Sequence, residues 1–123
     1  MAYGIPKILI NFLYFAASIS VYNSGTAFVP NTEVTLYIRC EFQRNVDCAW
    51  RRRGNHVEIG NRYGFSGQGI GINTRDCSIK IQPFNANIDY GEWMCESMAD
   101  SSSEAEVGTV VNLQVGEYTS KCI

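Results

Sequence analysis

The chain has 123 residues, 12 Asp and Glu against 10 Lys and Arg, a net charge of −2, one histidine and five cysteines. That length holds one domain with one core, and so mild an acidity gives no bulk attraction to nucleic acid or to an anionic membrane. One histidine leaves no Ser-His-Asp triad and no histidine-rich metal cluster, so neither an enzyme nor a cofactor is expected.

The first elements in chain order are those of a secretory leader. Residues 1–7 carry a single charge, on Lys7, residues 8–17 are apolar apart from Asn11 and Tyr14, and Ala16, Ala17, Ser18 and Ser20 follow as small residues. That is the pattern of a signal peptide over residues 1–20. Its apolar run is about half the length that crosses a bilayer. Cleavage after Ser20 has Ser18 at −3; cleavage after Ala27 has Gly25 at −3, so the window is residues 18–27. Loss of Lys7 with the leader moves the net charge to about −3. A domain over residues 28–116 and a tail over residues 117–123 complete the expected organisation, with no second apolar stretch to serve as a membrane span or lipid-anchor signal.

Within the domain the period is two. Val34, Leu36, Ile38 and Cys40 alternate with Thr35, Tyr37 and Arg39, and Cys48, Trp50 and Arg52 alternate with Ala49, Arg51 and Arg53. Cys77, Ile79 and Ile81, then Trp93 and Cys95, then Val111, Leu113 and Val115 repeat the pattern. A C′ strand is expected around residues 57–59. Turn residues separate the runs at Arg53-Gly54-Asn55, Gly60-Asn61, residues 64–71 and residues 99–103. Gly67-Gln68-Gly69-Ile70-Gly71 opens no helix and is read as a loop, not a dinucleotide fingerprint. Short strands with turns about every ten residues predict an all-β sandwich or barrel.

Cys40, Trp50 ten residues later, and Asp89-Tyr90-Gly91-Glu92-Trp93-Met94-Cys95 together resemble the framework of an immunoglobulin domain, of variable-like or intermediate set. The wording Gly-Glu-Trp-x-Cys is similar to that of invertebrate secreted and cell-surface members. The resemblance implies two antiparallel sheets with Greek-key connections, a disulfide between Cys40 of strand B and Cys95 of strand F, and Trp50 of strand C packed on it. It also implies that Arg62 pairs with Asp89 at the turn into strand F, and that Arg52 is the basic residue often found two places beyond the tryptophan. Where the family usually has a tyrosine, two before the second cysteine, this chain has Trp93; an indole N–H can donate one hydrogen bond but accept none.

In that frame Cys48 and Cys77 both face inward, from strands of opposite sheets that begin at one end of the sandwich, so a second bridge is expected between them. Two reduced or otherwise paired thiols are the alternative. Cys122 has no evident partner and invites a disulfide-linked dimer. Five cysteines in a short chain with a leader point to an oxidising, extracellular location.

The resemblance also implies a contact surface on strands C, F and G. By alternation its outward residues are Arg51, Arg53, Glu92, Met94, Glu96 and Met98, with Val110, Asn112 and Gln114. Glu92 and Glu96 point outward on a flat face and do not form an acid–base pair in a cleft. Methionine between both charge signs suits a protein partner: an extracellular protein or cell-surface receptor, or a second copy. The expected function is a secreted binding module in recognition or adhesion. The alternative is a soluble effector that sequesters a ligand, favoured by the lack of any membrane tie or further domain in this chain.

Overall fold

A computed structural model describes residues 17–67, 69–101 and 104–116. Most of the residues read as a leader, those read as a tail, and Cys122 lie outside the described residues.

Strands dominate, because β-branched and aromatic residues alternate with polar ones wherever the chain runs extended. In chain order they are β1 (Ser18–Val21), β2 (Gly25–Pro30), β3 (Thr35–Ile38), β4 (Glu41–Val46), β5 (Cys48–Arg52), β6 (Asn55–His56), β7 (Tyr63–Phe65), β8 (Thr74–Asp76), β9 (Ile79–Ile81), β10 (Gly91–Ser97) and β11 (Val107–Gly116), with a one-turn helix α1 (Ala86–Asp89) before β10. One sheet has the order β1-β3-β9-β7, a second the order β2-β11-β10-β5-β6, and β4 and β8 form a two-stranded ribbon.

The first two sheets share one core. Leu36, Ile38, Ile79 and Ile81 from one meet Val29, Trp50, Trp93, Cys95, Val111 and Leu113 from the other, all essentially without solvent exposure. Each set sits at alternate positions, so a shift of one residue would turn these side chains to water. The two tryptophan rings meet edge to face with centroids 6.3 Å apart. Val115, expected inward with Val111 and Leu113, lies near the end of β11 and is half exposed.

Two disulfides cross the core. Cys40 is joined to Cys95 and Cys48 to Cys77, with Cα–Cα distances of 6.5 and 5.6 Å. The Trp50 indole N–H donates to the Cys77 carbonyl oxygen at 2.7 Å, which ties the tryptophan to the second bridge as well as to Cys95, its ladder neighbour.

Three features depart from a simple alternation. The expected C′ strand at residues 57–59 is not formed; β6 covers only Asn55 and His56, because Arg53 and Gly54 both take positive φ (50° and 83°) and close a two-residue hairpin directly after β5. β1 runs parallel to β3 and β2 parallel to β11, so strand pairing begins at Ser18, within the residues read as leader and processing window. The residues after Cys40, which carry no clear pattern, pair as β4 with β8.

Candidate functional site

Two side-chain groupings stand out: a buried charge cluster at one end of the sandwich, and the outer face of the five-stranded sheet.

The cluster centres on Asp89, whose side chain is 0% exposed. Asn85 caps α1 by accepting from the Asn87 N–H, and this single turn delivers Asp89 to the sheet interior. Its carboxylate accepts from Arg62 Nη1 at 2.6 Å and Nη2 at 3.2 Å, from Arg52 Nη1 at 3.4 Å, from the Asn85 backbone N–H at 2.9 Å and from the Tyr63 hydroxyl. The Trp93 indole N–H donates to the Asp89 carbonyl oxygen at 2.6 Å. The indole thus supplies the one donor bond its chemistry allows, at the turn that leads into β10. Arg62 guanidinium carbon lies 4.8 Å from the Tyr63 ring centre, and that of Arg52 5.8 Å from the Tyr63 and Trp93 rings. Sequence reading found Arg62 and Asp89 and placed Arg52 on the inner side; it did not bring Tyr63 in, because its hydroxyl reaches Asp89 only when β7 closes onto the end of β9.

Hydrogen bonding to Asp89 raises the pKa of Arg62, against a smaller opposing effect of burial. Burial, and then the Asp89 carboxylate, push that of the Tyr63 hydroxyl up from its usual range. The folded state therefore holds the Tyr63 proton to higher pH than the unfolded chain does. The associated stability is complete below about pH 10, the unfolded value, and is lost as pH rises through the folded value. Tyr63→Phe should be less stable at neutral pH but show a flatter fall in urea midpoint as pH rises above about 10. Equal slopes in the two proteins would locate the alkaline loss in other groups.

The outer face is set by ladder register. Met94 stands opposite Arg51 on β5 and Val110 on β11, Glu92 opposite Asn112, and Glu96 opposite Ala49. Arg51 Nε donates to Glu96 Oε1 at 2.7 Å, a diagonal pair across β5 and β10. Met94 and Val110 are half-buried between these charges. Met98 is 53% exposed just beyond β10, where its N–H donates to the Asp47 carbonyl oxygen.

Arg53 does not stay with this face. The positive-φ turn redirects it: Nη2 donates to the Ile88 carbonyl oxygen at 3.2 Å, its guanidinium lies 5.4 Å from the Tyr90 ring centre, and its stem covers Gly91. A Cβ at Gly91 would sit 2.7 Å from Arg53 Cγ, and the backbone there has φ 109°, so glycine is required on both counts.

Two outward residues were missed by the sequence reading. Phe28 of β2, 67% exposed, stands opposite Gln114, and His56 of β6 opposite Arg51. The signal for Phe28 was present, since Ala27 and Val29 flank it on the inner side, but these residues were assigned to the processing window or the very start of the domain. Among the described residues, no three His, Cys, Asp or Glu side chains lie together as metal ligands, and no helix is long and apolar enough to cross a membrane. No model of a known protein family matches the chain, and no curated protein matches it.

Proposed function

We propose that the chain is a secreted immunoglobulin-like domain that acts as a protein-binding module in extracellular recognition or adhesion. The sheet orders, the Cys40–Cys95 bridge beside Trp50 and the Arg62–Asp89 ion pair support that family reading. Two intramolecular disulfides support an oxidising, extracellular location.

The observation that carries the functional reading is the outer face of the β2-β11-β10-β5-β6 sheet. There Met94 and Val110 lie alongside the Arg51–Glu96 pair, and Phe28 is exposed beside Gln114 towards the other end of the same face. Methionine and valine provide area that a partner can desolvate, the ion pair beside them sets register and specificity, and the phenyl ring extends that area. The charged cluster at Asp89 is saturated with hydrogen bonds from its own chain and serves the fold.

A screen of the secreted protein against extracellular proteins, itself included, supplies the partner. Met94→Lys should then weaken association by more than about 1 kcal/mol while the melting temperature holds, because that side chain points away from the core. Arg51→Glu should weaken it too. Lys80→Glu, outward on β9 of the other sheet, should do little. Loss of binding with Lys80→Glu alone would move the interface to the opposite sheet.

A further inference from the structure

The hairpin that ends β5 leaves one side of the sandwich open. β6 is the last strand of one sheet and β7 the last strand of the other. Residues 57–59, where a C′ strand was expected, are held to β5 by a bond from the Val57 N–H to the Trp50 carbonyl oxygen, 2.9 Å. The loop after β7 returns to the same side, where the Cys48 N–H donates to the Gly71 carbonyl oxygen at 2.7 Å. Gly71 has φ 81° and lies so close to the Phe65 ring that a Cβ there would overlap it.

Between these segments is a cleft of about 470 Å³, walled by Trp50, Val57 and Phe65 and rimmed by Ile59, Ile70 and Ile72. Its volume is that of a small-molecule site, and such sites are mostly apolar. The three isoleucines are 46%, 74% and 61% exposed. Exposed apolar residues taken singly are ordinary, but three around one opening mark a surface that is covered in use.

A second cavity, of about 360 Å³, adjoins the first along residues 56–59, which line both, and it reaches Arg52, Arg62 and Tyr63. Asp89 is saturated, but its cations are in excess, two guanidiniums to one carboxylate. Arg52 meets Asp89 and Tyr63 through Nη1. Among the described residues Nε and Nη2, on its other edge, have no partner. That edge is the fork that takes a carboxylate in two parallel bonds, and the side chain is 24% exposed. Glu58, exposed, lines both cavities and opposes an anion through solvent.

We propose that the two cavities together bind one medium-chain carboxylate amphiphile of the fatty-acid type. Its carboxylate sits on the Arg52 fork and its chain runs beside β5 into the cleft. Arg52 and Cys48, which lines the cleft, stand at opposite ends of β5, about 13 Å apart at the rise of a strand. An extended acyl chain crosses that distance, and a short acid leaves the cleft unfilled. The site is separate from the Met94 face and does not depend on it.

The test is calorimetric titration of the folded chain, both disulfides formed, with dodecanoate below its micelle concentration. One molecule should bind per chain. Dodecylammonium, which lacks the anionic head, and hexanoate, which buries too little chain, should each bind at least about tenfold more weakly. Ile70→Gln with Ile72→Gln should weaken dodecanoate about tenfold at an unchanged melting temperature, because both residues are exposed. Arg52→Gln should abolish the preference for dodecanoate over dodecylammonium. Because Arg52 also serves the Asp89 cluster, Glu58→Gln is the second variant: it lies outside that cluster and should tighten binding about twofold. Equal affinity for the anionic and cationic amphiphiles, several molecules bound per chain, or no response to the isoleucine changes overturns the inference. So does an unchanged affinity in Glu58→Gln, or binding to vesicles of anionic phospholipid without binding to monomeric dodecanoate.

Discussion

Asp89→Ala should cost about 3 kcal/mol of folding stability, at the lower end of the range for breaking a buried ion pair. The carboxylate is fully buried and accepts from two guanidiniums, a tyrosine hydroxyl and the Asn85 N–H. Its removal leaves Arg52 and Arg62 facing one another at a place built for an anion, and leaves the α1 turn without its carboxylate anchor. The cost stays at the lower end because both arginine side chains are about one-quarter exposed, so water recovers part of their solvation. Asp89→Asn keeps the shape and one acceptor oxygen, and should lose less, about 1–2 kcal/mol. Arg51→Ala, which breaks the more exposed pair with Glu96, should change stability by less than about 1 kcal/mol. Urea unfolding at pH 7 measures all three. A loss at Asp89→Ala no larger than that at Arg51→Ala would show that the cluster is solvated in practice and contributes little.

Cys95→Ala should be at least as damaging. The Cys40–Cys95 bridge has a sequence separation of 55 and the Cys48–Cys77 bridge one of 29. Loop-closure entropy in the unfolded chain assigns about 4 kcal/mol to the first and about 3.5 kcal/mol to the second. Burial widens that small gap. Cys40 and Cys95 are both essentially unexposed, whereas Cys48 is only half-buried, so breaking the first bridge also leaves a thiol and a void beside Trp50 in the centre of the core. A domain of this size has about 5–15 kcal/mol in all, so the Cys95→Ala protein should accumulate poorly and unfold at a much lower urea concentration than Cys77→Ala. The reverse order would mean that the second bridge, through the Trp50 bond to the Cys77 carbonyl, holds the core together.

Much of the candidate face was legible because a strand has a period of exactly two residues in its side-chain directions. Arg51, Glu92, Met94 and Glu96 could be assigned to one side from Trp50, Trp93 and Cys95 on the other. The partners within the face could not. Arg51 pairs with Glu96 and leaves Glu92 exposed, and that choice depends on how β5 and β10 are offset. Arg53 shows the limit of alternation at a strand end: two consecutive positive-φ residues carry it round the hairpin to Ile88 and Tyr90.

The alternating apolar positions, the turn residues between them and the cysteine and tryptophan spacings were enough by themselves to determine an all-β chain and most of its core, though not the burial of Val29, Val57 and Phe84 or the exposure of Val115. Those features are local, and each is dictated by the two-residue period and by backbone preference. Three others belong to the tertiary structure alone: the parallel pairing of β1 with β3, the β4–β8 ribbon, and the gathering of Arg52, Tyr63 and Trp93 around the Arg62–Asp89 pair. Each depends on contacts between segments far apart in the chain, whose register is decided by the packing of the whole core and is written in no single stretch of residues.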